Sequence, residues 1–189
     1  CLTRYEPGAR RELDRVRDVL LEDLPPLCVS LVQRRDHSSA YIDLLRSYLQ
    51  LQQMRFGRSL VFQIQRFPEM EQFVALKYLF QPIVENSIVH GFEKRPAQHR
   101  IEITFQKEGD MLFFQVADDG IGISPQDLGP LLRQINGEGP IQGRSFALRN
   151  IHEQLCIAYG PRDIHIESRP GAGTRVFFRI PLERREPHV

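Results

Sequence analysis

None of the 189 residues is tryptophan, only three are cysteine, and neither charge sign dominates. The 25 Lys and Arg nearly cancel the 24 Asp and Glu, leaving a formal net charge of +1. That balance excludes the basic footprint of a dedicated nucleic-acid binder. No apolar run approaches the roughly 18 residues of a membrane-spanning helix. No signal peptide is visible. Cys1, Cys28 and Cys156 are far apart, odd in number and without a C-x-x-C pair. They read as reduced thiols, not as a disulfide frame or a zinc site. Internal repeats and low-complexity tracts are missing too. The chain opens on Cys1 instead of Met, which reads as a fragment of something longer. The missing span therefore says little about a parent protein.

What is there suits a globular protein: 41% apolar and 26% charged residues. The length fits one medium domain, or one domain with a helical lead-in. It is enough to bury a core without staples. Residues 10–24 place Leu13, Val16, Leu20 and Leu24 at helical spacing, until Pro25 and Pro26 interrupt. A polar break, "RRDHSS", offers Asp36, Ser38 or Ser39 as a helix cap. Residues 40–56 then read as one long amphipathic helix. After Gly57, "SLVFQIQRF" alternates like a strand. Residues 71–90 read as a helix, with Pro82 either kinking it or marking its first firm turn. "RIEITFQ" and "MLFFQVA" alternate around "KEGD", a hairpin pattern. Helical patterns follow near 125–135 and over 146–159. "DIHIES" and "TRVFFRIPL" form a closing hairpin around "RPGAG", with "ERREPHV" as a frayed tail. Paired strands with helices gathered between them predict an α+β fold, a two-layer sandwich rather than a doubly wound sheet.

Four stretches carry chemistry. In "ENSIVHG", Asn86 and His90 are four apart and share a helix face. Glu85 and Asn86 are costly to bury without partners, so a polar strip between apolar neighbours suits a pocket wall. The Asn86 carbonyl oxygen is a Mg²⁺-type ligand, and Glu85 is placed to polarise a nucleophile or a metal-bound water. The plainer reading puts both on a solvated face. In "ADDGIGI", Asp118 ends a strand and can accept from an exocyclic amine such as that of adenine. Gly120 and Gly122 allow a close backbone approach. The plainer reading is an Asp-Gly turn with a helix cap at Ser124. "GRSFALRN" runs from a Gly-containing loop into a helix start, the usual phosphate cradle, with Arg144 and Arg149 adding charge. "GAGT" is a hairpin turn that can present Thr174 to a neighbouring pocket.

Together, in this order, the stretches are similar to the motifs of the GHKL ATPases, the gyrase, heat-shock chaperone, histidine kinase and mismatch-repair families. "LFQPIVENSIVHG" resembles their N box and "VADDGIGI" their first Gly box. "GRSFALRNIHEQL" sits where the second Gly box belongs, and "SRPGAGTRVFFRIPL" looks like the closing hairpin. "YLQLQQMRFG" narrows the match to the segment just before the ATPase domain of LytS-type sensor histidine kinases. The resemblance implies a Bergerat-type sandwich, a mixed and mostly antiparallel sheet with helices on one face. It implies a helical dimerisation segment over residues 1–56 and an ATP-binding domain over 57–189. By motif match Asn86 would hold Mg²⁺ and Glu85 would be the acidic, catalytic residue. Asp118 would accept from adenine, Gly120 and Gly122 would let the chain approach the nucleotide, and Gly143 would open the lid loop. Thr174 would line the adenine end, and His90 and Leu148 would belong to the nucleotide-binding set.

The activity implied is transfer of the ATP γ-phosphate to a histidine and then to an aspartate of a response regulator. Partners would be a second copy, held through the N-terminal helices, and that regulator, with no nucleic acid. Location would be cytoplasmic, attached to an inner membrane only through parent segments outside this chain. Four departures stand against the family pattern. Val89 replaces a Lys, Ser145 and Ala147 replace glycines, and Asp119 replaces a common Asn. The kinases' acceptor-histidine motif is also absent: His37, His99, His152 and His165 do not match it, and residues 10–31 resemble the helix after it. The alternative is a degenerate kinase-like module that acts through dimerisation or partner binding. The bland alternative for the helical lead-in is that it folds back on the ATPase domain.

Overall fold

A computed structural model describes residues 35–56, 59–76, 79–92, 98–137 and 145–184. The helix expected over 10–24 lies outside the described residues. Helix α1 (Ser38–Phe56) is the long amphipathic helix. It turns Tyr41, Ile42, Leu45 and Leu49 inward and leaves Leu51 and Met54 exposed. The next elements are β2 (Leu60–Gln65), β3 (Phe73–Leu76) and α2 (Gln81–Gly91). Then follow the hairpin β4 (His99–Glu108) and β5 (Met111–Asp118), and α3 (Pro125–Ile135). Helix α4 (Ser145–Tyr159), β6 (His165–Ser168) and β7 (Thr174–Pro181) complete the main body.

The main sheet has five strands in the order β2-β4-β5-β7-β6. Only β2 and β4 pair in parallel; the other neighbours are antiparallel. Alternation decides which side faces the helices. Ile101, Ile103 and Phe105 of β4, Leu112, Phe114 and Val116 of β5, and Val176, Phe178 and Ile180 of β7 are buried. Their neighbours, such as Gln106, Arg175 and Arg179, are exposed. This is the mixed, mostly antiparallel α+β sandwich that the pattern predicts.

A phenylalanine row fixes the helix that matters most. Phe105, Phe114 and Phe178 stand side by side across β4, β5 and β7. Phe80, just ahead of α2, packs on all three, with ring centroids 5.2, 4.6 and 6.2 Å away. Tyr41 of α1 meets the same ring edge-on at 5.6 Å and donates its hydroxyl to the Ala75 carbonyl at 2.6 Å. Each such aromatic pair adds about 0.5–1.5 kcal/mol beyond its buried area. The start of α2 is thereby pinned to the centre of the sheet.

Three expectations need correction. The helix expected over 71–90 begins only at Gln81, with Pro82 in its first turn, where a missing N–H costs nothing. Phe73–Leu76 is instead a strand, because it pairs with β1 (Arg35–His37) on one side and β8 (Glu183–Arg184) on the other. The polar break and the start of the expected frayed tail are thus the outer strands of a small three-stranded sheet. Cys156 of α4 is disulfide-bonded, against the free-thiol expectation. Among the described residues no helix is long and apolar enough to cross a membrane.

Candidate functional site

Helix α2 presents different residues on different sides. Successive residues turn by about 100°, so Glu85 and Asn86 diverge. Asn86, Ser87, His90 and Gly91 line a pocket. Glu85 does not line it. Its carboxylate accepts from Gln81 Nε2 at 2.8 Å, one turn back along the helix. It faces Tyr48 of α1, whose hydroxyl is pushed up in pKa by burial first and by the Glu85 charge second. The structure therefore separates the two halves of the Glu-Asn pair. Asn86 Nδ2 is buried and has no hydrogen-bond partner. An amide donor left over in a pocket wall can donate to a group that enters the pocket.

The pocket floor is the end of β5. Asp118 is only 9% exposed. Its Oδ1 accepts from the Gly120 N–H at 3.0 Å and the Thr174 N–H at 3.2 Å. Burial raises its pKa above the ordinary carboxylate value. Hydrogen bonds from Gly120, the Ser87 side chain and Thr174 pull it back part of the way, and the Asp119 charge raises it again. Asp119 points elsewhere: it is exposed and accepts from the Arg100 N–H at 2.8 Å.

Gly120 does not line the pocket but makes it possible. A Cβ there would come within 2.6 Å of both Cα and O of Gly91, so α2 and the β5 end could not approach this closely. Next to it the Ile121 N–H donates to the Gly91 carbonyl at 3.1 Å. Gly122 lines the pocket with φ at 72°, a conformation that disfavours side chains. The Ile121 carbonyl then accepts from Gly171 at 2.8 Å, tying this loop to the β6–β7 turn.

The remaining walls are apolar: Ile123, Leu131, Leu148, Ile166 and Val176. Thr174 adds a hydroxyl beside Asp118. The empty space is about 420 Å³, open solvent at its mouth included. A flat apolar ring with an amino edge suits a slot with one buried carboxylate and aliphatic sides. Of the sequence-derived candidates, the structure brings together Asn86, His90, Asp118, Gly122, Leu148 and Thr174. Gly120 supports them from behind, Glu85 is set apart, and Gly143 and Arg144 lie outside the described residues. Arg149 pairs with Glu153 at 2.9 Å. Sequence reasoning missed Gly91, Ser87 and Ser168. Ser168 stands directly opposite Thr174 in the closing hairpin, so counting outward from the "RPGAG" turn would have found it.

Residues 72–184 match the family model described as histidine kinase-, DNA gyrase B-, and HSP90-like ATPase. The chain belongs to this ATPase family. Its sequence relatives include the sensor protein LytS of Bacillus anthracis, 31% identical over 85% of this chain and 26% of that protein. Another is the sensor protein kinase HptS of Staphylococcus aureus, 27% identical over 76% of this chain and 27% of that one. The chain thus spans about a quarter of the length of the curated relatives it matches. Among solved structures it is similar to the catalytic domain of the histidine kinase ThkA, with a TM-score of 0.59 at 16% identity over 80% of this chain and 97% of that one. The histidine kinase AdeS of Acinetobacter baumannii gives a TM-score of 0.56 at 14% identity, over 94% of this chain and 87% of that one. At such identities the structures speak for the fold of this ATPase-family chain, and the sequence relatives for its LytS-type branch.

Proposed function

We propose that this chain is the ATP-binding catalytic part of a two-component sensor histidine kinase. The substrate would be ATP, its γ-phosphate passing to a histidine and then to a response-regulator aspartate. The observation that carries the reading is Asp118. It is a buried carboxylate anchored by two backbone N–H groups at the floor of an apolar slot. An adenine amine would find its acceptor there, with the phosphates extending toward Asn86 and His90. In phosphoryl transfer the protein mostly positions groups and neutralises charge.

The residues fit Mg²⁺. Asn86 lines the pocket and its amide carries a carbonyl oxygen of the kind that ligates Mg²⁺; the atom without a partner is the other end of the amide, Nδ2, which would donate to a phosphate oxygen. Among the described residues no three His, Cys, Asp or Glu gather as a ready-made cage. Mg²⁺ takes only one or two protein ligands and draws the rest from phosphates and water. When bound, the ion would neutralise phosphate charge. Glu85 holds Gln81 and faces α1, so its contribution would be to orient α2. The wider assignment completes the proposal: residues 1–56 as a helical segment mediating a homodimer, residues 57–189 as the catalytic domain, and a cytoplasmic place in a membrane-anchored sensor.

One observation supports the degenerate alternative. Val89 is apolar yet 41% exposed on α2, where the family pattern has a phosphate-binding Lys. Calorimetric titration with a non-hydrolysable ATP analogue separates the two. The kinase reading expects micromolar binding that weakens without Mg²⁺ and is lost in Asp118→Asn and weakened in Asn86→Ala. A folded protein that binds no nucleotide would leave the degenerate module.

A further inference from the structure

Ser168 opens the stretch "SRPGAGTRVFFRIPL" without a role assigned to it there, and it does not line the pocket, but it touches a residue that does. It lies on β6 directly opposite Thr174 of β7. Three contacts converge on its hydroxyl. The Ile123 N–H donates to Oγ at 2.8 Å. Oγ stands 2.8 Å from the Gly173 carbonyl and 2.9 Å from Thr174 Oγ1. A serine hydroxyl has one proton and two lone pairs to receive hydrogens. The Gly173 oxygen has no proton to give, so that contact requires the proton of Ser168. None is left for Thr174, which must donate its own. All three contacts are satisfied in this one arrangement, and Ser168 is then saturated.

The consequence falls on the pocket. With its proton turned to Ser168, Thr174 offers the pocket only lone pairs. Asp118 beside it also only accepts. This end of the slot therefore presents two side-chain acceptors and no side-chain donor between them.

We propose that Ser168 is a positioning residue that locks Thr174 as an acceptor and so sets the pocket's preference for a purine with an amino edge over one with a carbonyl edge. The inference rests on the nucleotide reading above. An adenine amine brings N–H groups to two acceptors. A carbonyl in the same place, as in hypoxanthine, sets lone pairs against lone pairs, and unpaired polar atoms in a desolvated site are the strongest source of discrimination. A water bridging Thr174 and the base obeys the same polarity, since it must direct a hydrogen at Thr174.

The test compares ADP and IDP affinities by calorimetric titration in wild type, Ser168→Ala and Ser168→Thr. In Ser168→Ala the Thr174 proton is free to turn into the pocket and meet a carbonyl. The ADP-to-IDP preference should narrow by about three- to tenfold, the effect of one hydrogen bond. Ser168→Thr keeps the hydroxyl and should restore the wild-type ratio. A purely structural role would lower both affinities in proportion, and an unchanged ratio overturns the inference. If Ser168→Ala does not fold, Ser168→Cys, whose sulfur is a weak acceptor for the Thr174 proton, must narrow the ratio instead, or the inference fails. A wild type that binds neither nucleotide sinks the nucleotide reading and the inference with it. A wild type that prefers ADP, with a variant ratio unmoved, sinks the inference alone.

Discussion

At the scale of single residues, Asp118 is where fold and function pull in opposite directions. Its folded pKa lies above the 3.8 of the open chain, with burial as the largest cause. A carboxyl shifted this way contributes stability that is fully present below its unfolded pKa and is lost as pH rises through its folded pKa. The ionised form therefore weakens the fold, while the charge it carries is what the amine acceptor of the proposed function needs. Asp118→Asn retains an oxygen for the Gly120 and Thr174 N–H groups but carries no charge. Urea unfolding should show the variant gaining on wild type as pH rises from about 4 to about 7. A gap that stays constant across that range would mean that the carboxylate is not desolvated. Wild-type nucleotide affinity should weaken on the acid side at a higher pH than an ordinary carboxylate would dictate.

At the scale of elements, α1 decides whether the helical lead-in is part of the catalytic body. Leu49 is fully buried, while Leu51, two residues on, is 63% exposed. Leu49→Ala should cost about 2–5 kcal/mol, and Leu51→Ala should stay within about 0.5 kcal/mol. Denaturant midpoints measure both, and equal small losses would detach α1 from the core. The same helix shows what a sequence can reveal. Its stripe is local and periodic, and so are the alternations of β4, β5 and β7, so these elements could be read directly. Phe73–Leu76 is four apolar residues in a row, equally good as helix or buried strand, and only its pairing with distant β1 and β8 decides. "RDH" gives no strand signal at all, because a three-residue polar edge owes its conformation to its partner. In the site, Asp118, Gly122, Asn86 and Thr174 were legible because the chemistry demands their residue types. Ser87, Gly91 and Ser168 were not: Ser87 and Gly91 reach the pocket wall only through the packing of α2 against the β5 end, and Ser168 meets Thr174 only through strand pairing. Glu85 was read as facing the pocket along with Asn86, because adjacency in sequence hides the turn of the helix between them.

At the scale of the whole molecule, the pocket is not an appendage to the core but one end of it. Ile123, Leu131, Leu148, Ile166 and Val176 wall the pocket and belong to the same buried cluster as Tyr41, Ile42, Leu45 and Leu49 of α1. That cluster runs without a break from the entry helix, through the phenylalanine row, to the pocket. A ligand that binds only the folded form at 100 times its Kd should add about 2.7 kcal/mol to the opening of everything sharing that core. Hydrogen exchange with saturating ADP and Mg²⁺ reads this segment by segment. Amides around Leu45 and Leu49 should gain protection together with those of β5, although α1 itself supplies no residue to the pocket wall. Protection confined to β5 and α2 would mean that α1 opens independently, and the entry helix could not then sense the nucleotide through the core. If both gain together, the same physical continuity runs in reverse, and a displacement of α1 from outside would reach Asn86 through Phe80 and the start of α2.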